Sequence, residues 1–203
     1  MGSVGFSLLL RVLYLAQQWR IDMSEHPTFL AAEGVVGLMG RHIVAGERPL
    51  FYYGQYYMGA LEAYLAAGLF YLFGDSMTAL RAVPAVFAVA WIPLAGAIAA
   101  RLYGRRAGLL AAALVALPSQ FVFEWGFQAR GGHAEHVTLV LLTLWLVLLA
   151  LEHMSRGVLI ALGFVMGLSL WVNQMAVAYM PVFAYALVSS VKLRSRQAAL
   201  LVA

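Results

Sequence analysis

The sequence is a succession of apolar segments separated by short polar breaks. A bilayer core of about 30 Å needs on the order of 20 apolar residues per helix, and fewer where the polar ends reach the interface. On that scale the pattern predicts six transmembrane helices, at residues 2–17, 77–100, 107–121, 137–151, 157–172 and 176–191. The expected fold class is therefore all-α, a polytopic membrane protein with a single transmembrane domain over residues 1–203.

Composition supports this fold class and excludes several others. Hydrophobic residues make up 64% of the chain and charged residues 11%, which is more apolar side chain than one soluble core could bury. The absence of cysteine excludes disulfides, thiolate catalysis and cysteine-ligated metals. The formal net charge is +4, but the arginines are scattered at segment ends and form no stripe, so a nucleic-acid partner is not expected. Arg11 interrupts the first apolar run, which also lacks a small-residue cleavage site and is therefore predicted to be a retained span.

The apolar segment at residues 57–73 decides the topology. If it crossed the membrane, Arg101, Arg105 and Arg106 would lie outside. If it is a half-buried juxtamembrane helix, these arginines face the cytoplasm together with those at 156, 194 and 196 and the lysine at 192, as the positive-inside rule prefers. We therefore predict a juxtamembrane helix, outer loops at residues 18–76 and 118–136, and a multi-pass protein of the bacterial inner membrane. The last residues, from 197, begin a further apolar run, so the chain is expected to stop within another span.

The most motif-rich interval is residues 32–62, in the first outer loop. Its first half has helical spacing and predicts an interfacial helix that ends before Gly46. Pro49 then blocks helical continuation. The aromatic-rich residues 51–57 are predicted to form a lip at the membrane–water boundary, which such rings prefer. On the interfacial helix the spacing predicts one apolar face and one polar face: Val36, Leu38, Met39 and Ile43 against Glu33, Gly37, Gly40 and Arg41.

Two acids in this interval are candidate site residues. Glu33, on the outer polar face, is suited to act as a general base for an acceptor; the alternative is a solvated acid on an amphipathic helix. Glu62 interrupts an apolar helix, where an ionisable group is costly and usually has a partner. It is either a site residue or a paired structural acid.

The second outer loop carries a candidate anion site. Arg130 precedes two glycines, which places a cation on a flexible backbone that can close around a phosphate. The alternative is an arginine that anchors a turn to Glu124 or Glu135. His133 and His136 have i, i+3 spacing, but without a third ligand nearby they give little support to a metal site. No metal and no cofactor are therefore expected.

Several stretches, taken in order along the chain, resemble the N-terminal part of bacterial glycosyltransferases of the GT-C fold. That group includes protein O-mannosyltransferases and aminoarabinose transferases. The stretches that carry the resemblance are AEGVVGLM at 32–39, HIVAGERP at 42–49, YGQYYMGALEAY at 53–64, Gly74 with ALR at 79–81, RGGHAE at 130–135 and WVN at 171–173.

The resemblance implies a partner and a set of roles. Similar enzymes use a polyprenyl-phosphate-linked sugar, whose lipid tail lies among the spans while the sugar is transferred at the non-cytoplasmic face. By this resemblance Glu33 is the catalytic base and Arg130 contacts the lipid phosphate. The other substrate-binding residues implied are Glu62, Gln55, Arg41, Tyr53 and Glu135. The expected partners are this donor and membrane lipid.

The chain departs from the family pattern at two positions. Relatives carry Asp-Glu where this chain has Ala32 and Glu33, and His133 stands where a tyrosine is expected. Losing a catalytic base commonly removes about two to four decades of rate. The second hypothesis is therefore a catalytically inactive subunit that keeps the fold and packs against other membrane proteins, in a respiratory or photosynthetic complex for instance. The aromatic residues 51–57 would then be its docking surface.

Overall fold

The computed structural model describes residues 31–189 together with Leu9 and Leu13, and it is mostly helical. The helices are α1 (Ala31–Val44), α2 (Leu61–Phe73), α3 (Met77–Tyr103), α4 (Arg105–Ala116), α5 (Gln120–Trp125), α6 (His133–Glu152) and α7 (Arg156–Val172). A 3₁₀ turn at Gln174–Ala178 follows α7, and residues 180–189 are helical. Two short strands, β1 (Phe51–Tyr52) and β2 (Gln55–Gly59), form an antiparallel hairpin between α1 and α2.

Two of the described helices, α3 and α6, are long and apolar enough to cross a membrane. At 1.5 Å per residue they extend about 40 Å and about 30 Å. Trp91 of α3 donates a hydrogen bond to Thr138 of α6 over 3.0 Å. At the C-terminal ends of the same helices, Arg101 Nε donates to Glu152 Oε1 over 2.7 Å. The two helices therefore run in parallel. The last turn of α3 carries Arg101, and Arg105 and Arg106 follow at the start of α4, at the same end.

The prediction of six spans is confirmed only in its coarser part, a helical protein with apolar helices. The expected span at 107–121 is wrong as a continuous helix, because α4 ends at Ala116 and α5 begins at Gln120, beyond Pro118. With 12 residues, α4 extends only about 18 Å. Most of the span predicted at 2–17 and the end of that at 176–191 fall outside the residues described.

Helix α4 folds back on α3 through small side chains. A Cβ atom added to Gly108 would lie 2.5 Å from the Cβ atom of Ala100, and one added to Gly96 would lie 3.1 Å from that of Ala112. Helices approach this closely in membranes where small residues remove the side chains between the backbones. The α3–α4 hairpin is thus held by backbone proximity at these positions.

Helix α2 agrees with the juxtamembrane prediction in length. Its 13 residues extend about 20 Å, less than the apolar core of a bilayer. It begins at Leu61, because residues 57–59 belong to β2. Its buried side chains, Ala63, Ala66, Ala67 and Phe70, pack in one apolar cluster with those of α1 and the start of α3.

The burial of α1 differs from the predicted amphipathic pattern. Glu33 and Gly40, expected on the polar face, are buried with Val36, Met39 and Ile43, whereas Leu38 is 47% exposed. Gly40 lies on the buried side because α2 comes so close that an added Cβ atom would lie 2.8 Å from Phe70. Glu33 lies there because it meets a buried cation on α3. The prediction that Glu33 is on a solvent-exposed face is wrong.

The aromatic residues 51–57 form most of the β-hairpin, so the described part of the chain is all-α except for this ribbon. Tyr56 and Tyr57 are exposed, while Tyr52 is buried. The hairpin is attached to the end of α7: Trp171 Nε1 donates to Leu50 O over 3.0 Å, and Met58 forms an isolated bridge with Asn173. Tyr52 also contacts Ala32 of α1 and Gly131 before α6, so α1, the hairpin, the start of α6 and the end of α7 meet at one end of the helices.

Candidate functional site

A cavity of about 500 Å³ lies where these elements meet, and we name it the Arg130 cavity. It is at the N-terminal end of α6 and the C-terminal end of α7, opposite the end that carries Arg101 and the start of α4. Its walls come from α1, the hairpin, the loop before α6 and the residues after α7. The lining residues are Ala31, Ala32, Tyr52, Gln55, Tyr57, Met58, Arg130, His133, Asn173 and Met175.

Arg130 lies in this cavity with neutral groups around it. Its guanidinium carbon is 4.4 Å from the ring centroid of Trp125, a cation–π contact. Its Nε donates to Gln128 Oε1 over 2.8 Å, and Nη2 donates to the same oxygen. Within the described residues no carboxylate pairs with Arg130, so the predicted alternative, an anchor to Glu124 or Glu135, is not observed. The positive charge therefore remains available to an anion in the cavity.

Gly131 and Gly132 position Arg130 at the start of α6. Both have positive φ, +80° and +92°, a conformation that costs other residues energy. A Cβ atom added to Gly131 would lie 2.9 Å from Met58 and 3.0 Å from Tyr52. The two glycines that the sequence suggested as a flexible backbone therefore form a tight turn packed against the hairpin.

Gln55 and Tyr52 bring hydrogen-bonding groups to the cavity from the hairpin. Gln55 Oε1 is buried and has no hydrogen-bond partner among the described residues, which leaves it free to accept from a ligand. Tyr52 donates its hydroxyl to Ala32 O over 3.1 Å. Burial, followed by the charge of Glu62, raises the pKa of Tyr52 to about 12, so its phenol stays protonated near neutral pH.

Glu62 and Glu135 lie buried behind the cavity and do not line it. Glu62 is 2% exposed, and its Oε2 accepts from the backbone N–H of Gly132 over 2.6 Å. Its Oε1 and both carboxylate oxygens of Glu135 have no hydrogen-bond partner among the residues described. Burial, and then the charge of Glu135, raises the pKa of Glu62 well above its usual range. The partner expected for Glu62 is thus a backbone N–H group at the glycine turn.

Glu33 lies away from the Arg130 cavity. It is fully buried and pairs with Arg81, whose Nε donates to Oε1 over 2.8 Å and whose Nη2 donates to Oε2 over 3.0 Å. It lines a second cavity of about 480 Å³, between α1 and the start of α3. The predicted base and the predicted phosphate-binding cation therefore line different cavities, and the residues of α1 that line the Arg130 cavity are Ala31 and Ala32.

The remaining predicted binding residues are engaged elsewhere. Arg41 lines the second cavity and pairs with Asp75 over 2.6 Å. Tyr53 donates to Glu47 over 2.5 Å and contacts His42 Nδ1 at 3.0 Å. Of the predicted site residues, the structure places Arg130 and Gln55 in one cavity, with Glu62 and Glu135 behind it. In the described part of the chain no three histidine, aspartate or glutamate side chains form a group that could hold a metal ion.

Four polar lining residues were not predicted to be part of the site. Tyr52 and Tyr57 belonged to the aromatic lip. His133 was considered as a metal ligand and as a departure from the family pattern, and Asn173 was noted for its place after Trp171. The signal that could have identified Asn173 is a polar residue directly after an apolar helix that ends at the outer face. Arg81, the partner of Glu33, was named only within the ALR stretch at 79–81 that carries the family resemblance.

A comparison with family models matches residues 59–203 to the family described as dolichyl-phosphate-mannose-protein mannosyltransferase. The match covers more than two-thirds of the chain, including the glycine turn and Arg130, while α1 lies before it. Neither the curated proteins nor the solved structures give a match. The family match confirms the resemblance drawn from the sequence motifs. The family is membrane-embedded, and its members use polyprenyl-phosphate sugar donors. The chain belongs to the dolichyl-phosphate-mannose-protein mannosyltransferase family, and its function is of the membrane glycosyltransferase type at that level.

Proposed function

We propose that this protein binds a polyprenyl-phosphate-linked sugar in the Arg130 cavity and transfers the sugar to an acceptor. The observation that carries the proposal is the guanidinium of Arg130, which lines a 500 Å³ cavity and has only neutral partners among the described residues. Hydrogen bonds between an arginine and a phosphate are charge-assisted and about twice as strong as neutral ones. A lipid phosphate would therefore find one strong contact here.

The surroundings of Arg130 suggest how the two ends of the donor are held. The free Oε1 of Gln55 can accept a hydrogen bond from a sugar hydroxyl. Asn173, which is almost fully buried and forms a bridge with Met58 of the hairpin, supplies a second amide to the lining. Glu62 acts on the site through the glycine turn, because its carboxylate accepts a hydrogen bond from Gly132, and Glu135 acts through its charge on Glu62. In this proposal the phosphate lies at Arg130 and the sugar lies toward the hairpin.

The placement of the cavity supports transfer at the non-cytoplasmic face of the bacterial inner membrane. The cavity is at one end of α6 and α7, and Arg101, Arg105 and Arg156 are at the other. Basic residues at helix ends favour the cytoplasm, so the cavity would open on the outer side. The six-span topology and the single domain over residues 1–203 remain part of this proposal, with membrane lipid around the helices.

The catalytic role of Glu33 stays a prediction, and the alternative is a structural role in the ion pair with Arg81. A general base must come within hydrogen-bond reach of the proton it removes. Glu33 is instead fully buried in its pair with Arg81 and lines the second cavity. It could act on an acceptor only from that side of α1. Arg41 and Tyr53 would likewise have to exchange their present partners to bind substrate.

The proposal is tested by measuring how the purified protein in mild detergent binds a synthetic polyprenyl phosphate. Losing one charge-assisted contact of about 1.5–3 kcal/mol should weaken binding by about 10- to 150-fold in Arg130→Ala. Arg156→Ala is the matched control, because Arg156 is exposed at the opposite end of the helices, and it should bind as the wild type does. Equal affinity for wild type and Arg130→Ala would refute this phosphate site.

A second candidate function, the inactive subunit, is favoured by the residue at position 32. Ala32 lines the cavity where the resemblance expects a carboxylate, and the exposed Tyr56 and Tyr57 offer a docking surface. This candidate predicts that wild-type protein leaves polyprenyl-phosphate mannose intact during prolonged incubation and co-purifies with membrane proteins in fixed stoichiometry. Cleavage of that donor, absent in mock-purified membranes, would exclude it.

A further inference from the structure

Transfer of a sugar to a hydroxyl group needs a base that takes the proton of the acceptor. Of the described residues that line the Arg130 cavity, none carries a carboxylate. Position 32 holds alanine, and Glu33 lines the other cavity. If the proposed function is right, the base must be another side chain in the cavity wall.

Most of the polar lining residues are unsuited to this role. Arg130 carries a fixed positive charge, and the amides of Gln55 and Asn173 do not take up protons near neutral pH. Tyr52 keeps its own proton, because its pKa is raised to about 12, and its hydroxyl already donates to Ala32 O. A phenol must lose that proton before it can act as a base, and this applies also to Tyr57.

His133 has the geometry of a base. Its Nδ1 atom lies 2.9 Å from the carbonyl oxygen of Arg130. A carbonyl oxygen only accepts hydrogen bonds, so Nδ1 must carry the hydrogen, and the lone pair of the neutral ring is on Nε2. Within the described residues Nε2 has no hydrogen-bond partner. The imidazole lies edge-on to the ring of Trp125, with the centroids 5.7 Å apart and an angle of 81° between the ring planes. The indole that contacts the guanidinium of Arg130 therefore also orients His133.

We propose that His133 is the general base of the transfer. It takes the role of the carboxylate expected at position 32, where this chain has alanine. In this step Nε2 takes the proton of the acceptor hydroxyl while the oxygen of that hydroxyl forms a bond to the anomeric carbon of the sugar. The bond between that carbon and the phosphate oxygen breaks, and the electron pair leaves with the polyprenyl phosphate, whose charge Arg130 balances. The imidazolium then returns its proton to the solvent.

The test follows cleavage of polyprenyl-phosphate mannose by the whole protein in detergent, with a serine-containing peptide as acceptor. His133→Ala and His133→Gln should each lower the cleavage rate by about 10²- to 10⁴-fold, the usual contribution of a general base. Both should bind polyprenyl phosphate within about threefold of the wild type, since each 1.4 kcal/mol corresponds to tenfold and no phosphate contact is removed. Added imidazole should restore part of the His133→Ala rate, because the small base enters the space of the missing ring.

His153→Gln is the matched control, because His153 is exposed at the opposite end of α6, and it should cleave the donor at the wild-type rate. Unchanged cleavage by His133→Ala would overturn the proposal, and so would a lost rate that imidazole does not restore. Wild-type protein that binds the lipid phosphate but never cleaves the donor would also overturn it, leaving the binding site intact. Failure of the wild type to bind would instead refute the proposed function.

A second measurement does not depend on turnover. Nitrogen-15 spectra of histidine-labelled protein should show one neutral ring protonated at Nδ1 that disappears in His133→Gln. If the signal that disappears in His133→Gln comes from a ring protonated at Nε2, the proposal is overturned, even if His133→Ala fails to fold.

Discussion

Arg81 on α3 donates two hydrogen bonds to the carboxylate of Glu33 on α1, and both side chains are buried. Removing one partner of a buried ion pair leaves an uncompensated charge, which costs about 3–5 kcal/mol. We therefore expect Glu33→Gln to lower the unfolding temperature in detergent markedly, together with any loss of transfer. Thermal unfolding followed by circular dichroism would measure it.

Arg41→Gln is the control for that experiment, because Arg41 pairs with Asp75 at the protein surface. Exposed pairs contribute little, so this variant should unfold close to the wild-type temperature. A Glu33→Gln protein as stable as wild type that no longer cleaves the donor would support the predicted catalytic role of Glu33 over the structural one.

Trp125 is expected to matter for both functional groups of the Arg130 cavity. Its ring lies against the guanidinium of Arg130 and the imidazole of His133. Loss of a cation–π contact costs about 0.5–2 kcal/mol, so Trp125→Leu should weaken polyprenyl-phosphate binding by about 2- to 30-fold. Trp125→Phe keeps an aromatic face and should retain most of the affinity. Equal binding by Trp125→Leu and wild type would mean that the stacking does not position Arg130.

The glycine turn should not tolerate side chains. Gly131→Ala introduces a Cβ atom at a positive φ and within 3.0 Å of Tyr52 and Met58, so we expect a loss of at least about 1 kcal/mol of stability and weaker lipid-phosphate binding. In Gly163→Ala nothing lies within 4 Å of the added atom, and helical geometry is kept. This control should be neutral or stabilised by about 0.4–1 kcal/mol. Unfolding and binding assays on both variants would compare them directly, and normal binding by Gly131→Ala would show that the turn is adaptable.

The stability of the protein should fall as pH rises because of Glu62. Its pKa is raised above the ordinary value of 4.5, first by burial and then by the charge of Glu135. The folded state therefore holds this proton more tightly than the unfolded state. The resulting stabilisation is complete below pH 4.5 and is lost as pH rises through the raised pKa.

Glu62→Gln should remove that part of the pH dependence, because the amide oxygen still accepts from Gly132 but cannot ionise. Unfolding temperatures measured between about pH 5 and pH 8 would show a flatter profile than the wild type. Glu47→Gln, at an exposed position, should keep the wild-type profile. Identical profiles for Glu62→Gln and wild type would mean that the Glu62 carboxylate is not protonated on folding.

The sequence predicted the features that depend on composition and on chain-local signals. The long apolar helices, the short helix α2 and the cation before two glycines all belong to this class. Glu33 was misplaced because spacing alone sorts charged residues onto the polar face, and the cation that makes burial tolerable, Arg81, is 48 residues away. The hairpin was missed for a similar reason, since its strands of two and five residues are fixed by contacts with Trp171 and Asn173.

The site was predictable only in part for the same physical reason. Arg130 and Gln55 are polar residues in an apolar chain and draw attention by themselves. The proposed role of His133 depends on the carbonyl of Arg130, the indole of Trp125 and the absence of a carboxylate among the described lining residues. The first two are close in sequence, but only the folded chain shows how they are arranged around the imidazole.

Positions 32 and 33 of α1 are adjacent in sequence but line two different cavities. Consecutive side chains on an α-helix point about 100° apart, so Ala32 meets the Arg130 cavity while Glu33 meets the contact with α3. A substitution at position 32 therefore changes the lining of the Arg130 cavity and leaves the ion pair between α1 and α3 in place. An acid introduced there would supply a carboxylate to the cavity without disturbing the contact that joins the two helices.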